Sequence, residues 1–195
     1  LVVPGSHQPG EAARAGDAAV EERLSGDARD VQLRRQKRAG GRIVQIPPIV
    51  RPGFAPSDEP GEEVVVITGG SGIGVEDIDL RGVEAPMVTY GSTIDRLPNH
   101  ARQLGFNLND IEPMRRAKVL VVQGGFSSVS EAVALRRPTV VVPISRHAEQ
   151  HVNARIVEEL GLGLAAAGPE AGRKVNEVLS RHAEFAAECR KREVP

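Results

Sequence analysis

Along the chain the apolar residues gather into short unbroken runs separated by glycine and polar breaks. EVVVI (Glu63–Ile67), PMVTY (Pro86–Tyr90), VLVV (Val119–Val122) and TVVV (Thr139–Val142) are continuous and rich in valine. Runs of that kind suit strands of a parallel sheet covered on both faces, where strict alternation is lost. Two weaker strands are predicted over Leu104–Leu108 and Gly163–Ala166. Helical spacing is predicted for Val129–Leu135, Val152–Leu160 and Glu177–Arg192, and a short helix for Asp110–Arg116; Asp77–Val83 is at most a short helix, and Ile94–Gln103 a loop or weak helix. Glu131 lies in the first turn of its helix, Arg136 and Arg137 fit its negative end, and Pro138 stops it. The strand–helix alternation predicts an α/β protein with a Rossmann-like parallel sheet and helices on both faces. No internal repeat is visible.

Ahead of these runs the pattern is different. Asp17–Arg38 is charged and helical in spacing, but Val20, Leu24, Val31 and Leu33 form only a broken stripe. Gly40-Gly41 ends that segment and RIVQI (Arg42–Ile46) predicts a strand. Pro47, Pro48, Pro52, Pro56 and Pro60, with Gly53 and Gly61 among them, describe an extended, proline-stiffened linker. The expected division is therefore an N-terminal extension and linker over residues 1–60 and a main domain over 61–195.

Composition narrows the class. An apolar share of 40% in 195 residues is enough for a core, and the net charge of −1 with 3% aromatics gives neither the electrostatics nor the stacking platforms of a nucleic-acid binder. RRQKR (Arg34–Arg38) is then read as a solvated helix end, with contact to anionic lipid headgroups as the weaker alternative. No apolar run approaches the roughly 18–20 residues that span a bilayer, and no signal peptide is evident. Cys189 is alone, so no disulfide forms within the chain, in keeping with a cytoplasmic setting; a peripheral membrane contact is the variant. The chain opens on Leu1 rather than Met, which leaves open that it is a fragment.

Three stretches carry candidate chemistry. TGGSGIG (Thr68–Gly74) follows the first strand, where backbone N–H groups can approach a phosphate; a tight turn with no ligand is an equal reading. It resembles the TGxxxGIG loop of short-chain dehydrogenases but is one residue short, and the YxxxK pair is missing, because Ile94 stands four after Tyr90. The GxGxxG fingerprint fails too, since Val75 stands where the third glycine should be. QGGFSSVSE (Gln123–Glu131) offers a helix N-terminus with hydroxyls at Ser127 and Ser128. Its bland reading is a helix capped by one of those serines, with Glu131 closing a capping box on Ser128. HAEQHVNA (His147–Ala154) is dense in hydrogen-bonding groups; His147 and His151 lack a third ligand and the HExxH order, so no metal is expected, and Asn153 is read as a loop support.

The order of these stretches is more specific than any one of them. GGxSSxSEA, then RRPTVVVP, then HxEQxxNA and an LGxG turn resembles the C-terminal, donor-binding domain of GT-B glycosyltransferases, of the type found in UDP-glucuronosyltransferases and the UDP-GlcNAc transferase that makes lipid II. The resemblance runs over Glu63–Ala166 and is strongest over Val119–Gly163. It implies a nucleotide-sugar cleft at the strand C-termini. Gly70, Ser71 and Gly72 would face the diphosphate; Gly124, Gly125, Ser127 and Ser128 would bind it at the helix N-terminus; Glu131 would accept from the ribose hydroxyls. Phe106 would lie near the base, Glu149 and Gln150 would hold the transferred sugar, and His147 would stand close to the diphosphate or sugar. Gln123 takes the place of a histidine found in plant-type members.

The implied function is hexosyl transfer from a nucleotide diphosphate sugar, a UDP-sugar by resemblance, to an unidentified acceptor hydroxyl. No cofactor, metal or nucleic acid is implied, and no residue is assigned as the catalytic base. The acceptor domain that carries the base in the family has at most a remnant in residues 1–50. One rival is a non-catalytic donor-domain subunit whose partner chain supplies the acceptor half; another is an NAD(P)-dependent reductase built on TGGSGIG.

Overall fold

The computed structural model describes residues 37–38, 41–42 and 50–192, apart from 58, 60 and 107–110. The chain divides into two compact units, Leu1–Ile46 and Pro47–Pro195. In the first, β1 (Lys37–Arg38) pairs antiparallel with β2 (Gly41–Arg42). The helical reading of Asp17–Arg38 is thus corrected at Lys37–Arg38, which are strand. The rest of that segment and Ile43–Ile46 of the predicted strand lie outside the described residues.

The second unit is built on a six-stranded parallel sheet of order β5-β4-β3-β6-β7-β8. Its strands are β3 (Val64–Ile67), β4 (Met87–Tyr90), β5 (Arg102–Leu104), β6 (Val119–Val122), β7 (Thr139–Val141) and β8 (Gly163–Ala165). The helices are α1 (Glu112–Arg116), α2 (Phe126–Ala134), α3 (Ala148–Glu159), α4 (Ala171–Ser180) and α5 (His182–Arg190). Successive strand residues alternate between faces, and both faces are covered. Val64, Val66, Val119 and Val121 pack with Val175 and Val178 of α4 and Phe185 of α5. Val65, Val88 and Leu120 pack on the other face with Ala132 and Ala134 of α2, with Leu135 and with Phe54. Unbroken valine runs are what two covered faces require.

Four differences from the predicted elements have physical causes. The third strand of the sheet lies at Arg102–Leu104, just ahead of the predicted Leu104–Leu108; as an exposed edge strand it carries no apolar signature. Ala148–Gln150, expected in a polar loop, form the first turn of α3, where polar residues and Glu149 suit the positive helix end. The single predicted C-terminal helix Glu177–Arg192 is two helices, α4 starting earlier at Ala171 and breaking at Arg181 before α5. Finally, Asp77–Val83, expected to be at most a short helix, forms none: turns carry the chain from β3 to β4, and an isolated bridge ties Asp79 to Arg96 beyond β4. Part of the proline-rich segment packs down, with Phe54 buried on the sheet.

The chain leaves β3 toward β4 and β5 at one edge, then returns to β6 and runs to β7 and β8 at the other. The strand order therefore reverses between β3 and β6, and open parallel sheets form a binding crevice beyond the strand C-termini at such a switch point. The two loops that flank it are Thr68–Gly74 and Gln123–Gly125.

Candidate functional site

Each of those loops is glycine-rich because backbone must pass close to other chain. Gly124 adopts φ of +90°, and a methyl there would come within 2.9 Å of Val141 and 3.1 Å of the Gln150 carbonyl. Asn153, expected to support the polar loop at His147–Gln150, instead donates to the Gly124 carbonyl at 2.9 Å. The turn is thus held from behind by α3.

Gln123 ties the two loops together. Its side-chain carbonyl accepts from Gly69 N–H at 2.7 Å, and its amide nitrogen donates to the Ile73 carbonyl at 2.9 Å. The Gln123 side chain is buried, while Gly69 and Ile73, which it ties, are exposed. Gln123 spans the switch point as a brace. Gly70 and Ser71 are exposed and Gly72 half-buried, while a methyl at Gly70 would come within 3.1 Å of the exposed Phe106 ring. Behind this loop Thr68 donates to the Tyr90 and Ser92 carbonyls, both at 3.2 Å, and Ser92 donates to Gly69 O at 2.6 Å.

Helix α2 starts at Phe126, with Gly125 as its N-cap residue and no side-chain cap bond. Ser127 and Ser128 therefore fall inside the first turn, and the capping box between Ser128 and Glu131 is not formed. Phe126 N–H donates to Glu149 Oε1 at 3.3 Å, so a carboxylate from α3 reaches the positive end of α2. Ser127 is exposed and Ser128 half-buried. At the start of α3, His147 is the exposed N-cap residue, whereas Gln150 is buried and accepts from Ile144 N–H at 2.8 Å.

Glu131 is buried one turn into α2 and grips Arg51, which donates through Nε to Oε1 at 2.6 Å and through Nη2 to Oε2 at 3.0 Å. That bond raises the arginine's pKa above its ordinary value, with burial opposing. Sequence reasoning missed Arg51. It lies 80 residues from its partner, among prolines, and no spacing signal links the two. Arg51, Thr68, Tyr90, Phe106, Ser128 and Glu131 line a cavity of about 80 Å³. A hollow of about 740 Å³ is lined by Ile73, Glu76, Ile144, His151, Arg155 and Glu158 among others, and the Gln123–Ser128 turn does not border it. No group of three or more His, Cys, Asp or Glu among the described residues could hold a metal ion, and none of their helices is long and apolar enough to cross a membrane.

One Rossmann-like half with paired glycine turns at its switch point is the architecture of the C-terminal half of GT-B glycosyltransferases. The model of the family described as "Glycosyl transferase family 1" matches residues 33–182, and the chain belongs to that family. An uncharacterized glycosyltransferase of Methanopyrus kandleri is 41% identical over 63 residues, 32% of this chain and 18% of that protein. UGT2 of Phytolacca americana superposes with a TM-score of 0.55 at 18% identity, over 74% of this chain and 40% of that one. MurG of Acinetobacter baumannii gives 0.50 at 15% identity, over 69% and 45%. The chain thus spans less than half the length of each of these relatives.

Proposed function

We propose that this chain is the donor-binding half of a glycosyltransferase that moves a hexose-type sugar from a UDP-sugar to an acceptor hydroxyl. The observation that carries this is the switch point itself. Two glycine turns flank it, braced by Gln123, and the helix that opens there is capped by no side chain of its own, only Phe126 N–H being met by Glu149 from α3. A diphosphate would accept from the N–H groups and hydroxyls of Ser127 and Ser128 and meet the positive helix end. Gly70, Ser71 and Gly72 would face it across the crevice, Phe106 would lie near the base, and Glu131 would accept from the ribose diol. Glu149 and His147 would meet the sugar from the start of α3, with Gln123, Gly124, Gly125 and Gln150 holding the backbone around it. The structure of the Phytolacca UGT2 neighbour, complexed with UDP-2-fluoro-glucose, supports UDP as the nucleotide.

The chemistry these residues supply is stabilisation of charge building on the leaving diphosphate, by donors already aimed at it. The catalytic base would come from an acceptor half, in longer chain or in a partner; a subunit that binds donor but transfers only with that partner is the second reading. On this proposal residues 61–195 form the donor domain, residues 1–60 its extension and linker, and the protein works in the cytoplasm or at its membrane surface. The reductase alternative has lost its physical basis, because no helix follows Gly74 to present an N-terminus to a dinucleotide pyrophosphate. Isothermal titration with UDP tests the proposal. The chain should bind UDP, and Glu131→Ala should weaken binding at least about tenfold, the loss of a bidentate pair of hydrogen bonds. Equal affinity in that variant removes Glu131 from the site.

A further inference from the structure

The carboxylate assigned to the ribose is already engaged. Arg51 meets it fork to fork at 2.6 and 3.0 Å. The Glu131 side chain is only 8% exposed beneath a guanidinium-bearing side chain that is 45% exposed. The Arg51 guanidinium carbon also lies 4.6 Å from the centroid of the Phe54 ring, which holds the arginine over the carboxylate. Both residues line the same cavity of about 80 Å³. A ribose diol that is to bind Glu131 must take the place that Arg51 holds on both carboxylate oxygens.

We propose that Arg51 is a competitive gate on the donor site, its guanidinium holding Glu131 until an incoming ribose diol displaces it. The inference rests on the donor reading of Glu131. Of the two partners Arg51 is the more exposed. It precedes the sheet on the proline-rich segment with its side chain 45% exposed, whereas Glu131 is fixed in α2 and 8% exposed. The pair is a bidentate ion pair, whereas the hydroxyl contacts that replace it are charged on the acceptor side alone. Donor therefore binds only the fraction of molecules in which the arginine has let go, and the apparent affinity falls by that fraction. The gate also discriminates. Only a ligand that offers two donors to one carboxylate recovers what the arginine gives up, so a ribonucleotide opens it better than its 2′-deoxy counterpart.

The test compares UDP, 2′-deoxy-UDP and inorganic pyrophosphate by titration calorimetry on the wild type, Arg51→Met and Arg51→Lys. Methionine keeps an apolar stem over Phe54 without the charge, and lysine keeps the charge without the fork. Arg51→Met should bind UDP about tenfold more tightly than the wild type. Its gain should be smaller for 2′-deoxy-UDP and absent for pyrophosphate, and Arg51→Lys should fall between. UDP affinity in Arg51→Met equal to or weaker than wild type, at an unchanged melting temperature, overturns the gate. If Arg51→Met melts early, the lysine variant decides alone, and no gain there overturns it equally. Failure of the donor reading has its own signature: UDP binds none of the proteins, or binds Glu131→Ala as well as wild type, and the gate falls with it. Failure of the gate alone leaves Glu131→Ala defective and Arg51→Met no better than wild type.

Discussion

Replacing Gln123 by methionine isolates the brace across the switch point. The side chain is 8% exposed and makes two hydrogen bonds, at 2.7 Å from Gly69 N–H and at 2.9 Å to the Ile73 carbonyl. Methionine has nearly the same length and volume, so packing changes little, and the two bonds are what is lost. A typical intramolecular hydrogen bond contributes about 1 kcal/mol net, which sets an upper figure of about 2 kcal/mol for the pair. Gly69 and Ile73 are exposed and can rehydrate, so the expected loss is about 1–2 kcal/mol in urea denaturation. For a chain of this size that corresponds to a fall in Tm of about 2–8 °C. The larger effect should fall on UDP binding, because the freed Thr68–Gly74 loop no longer presents its N–H groups in fixed directions; a drop of about tenfold is expected. Gln123→Glu sharpens the test. It keeps the acceptor for Gly69, turns the donor facing Ile73 into a second acceptor, and brings negative charge beside the proposed diphosphate, so it should lose more UDP affinity than methionine does. Stability within about 0.5 kcal/mol of wild type, together with unchanged UDP affinity in both variants, would refute the argument that this side chain organises the site.

Gly91→Ala should destabilise the fold by about 3 kcal/mol or more, since Gly91 has φ of +103° and a methyl there would lie 2.2 Å from the Thr68 carbonyl; the urea midpoint reads this directly. Cys189 is buried and burial pushes its thiol up to about 12, so a disulfide reagent at mildly alkaline pH should leave it unmodified until the chain is unfolded. His182 lies 3.0 Å from the Lys118 carbonyl, and burial holds its pKa below the ordinary 6.5. Because the unfolded chain takes up the proton more readily, this group's contribution is complete above that ordinary value and is lost as pH falls below it. Urea midpoints measured at about pH 7.5 and about pH 5.5 should therefore differ in that sense, and less so in His182→Gln.

What the sequence makes legible here is what packing dictates locally. The four valine-rich runs appear as strands within a residue or so, because two covered faces leave no room for polar positions. Edges and crossovers are less visible. Arg102–Leu104 is exposed throughout, so register with β4 rather than hydrophobicity defines it, and the segment from Val75 to Val83 buries four apolar side chains without helical hydrogen bonding. In the site, the glycine turns and the helix that opens after Gly125 could be read from residue order alone. The partner of Glu131 could not, since a single arginine among prolines 80 residues away carries no periodicity.

Burial further separates the polar residues first grouped together as ligands. Gln123 and Gln150 are buried and spend their amides on Gly69, Ile73 and Ile144, all backbone partners. Ser127, Glu149 and His147 are exposed around the same turn. The segment Gln123–Ser128 contains no lysine or arginine, so a diphosphate seated there would be met chiefly by N–H groups, hydroxyls and the end of α2 rather than by a paired cation. Dipoles of that kind stabilise developing charge only if they cannot turn away from it. A site of this composition therefore depends on its braces more than a lysine-based one would, and the buried glutamines, though they face backbone, stand to influence transfer as strongly as the serines that would touch the phosphate.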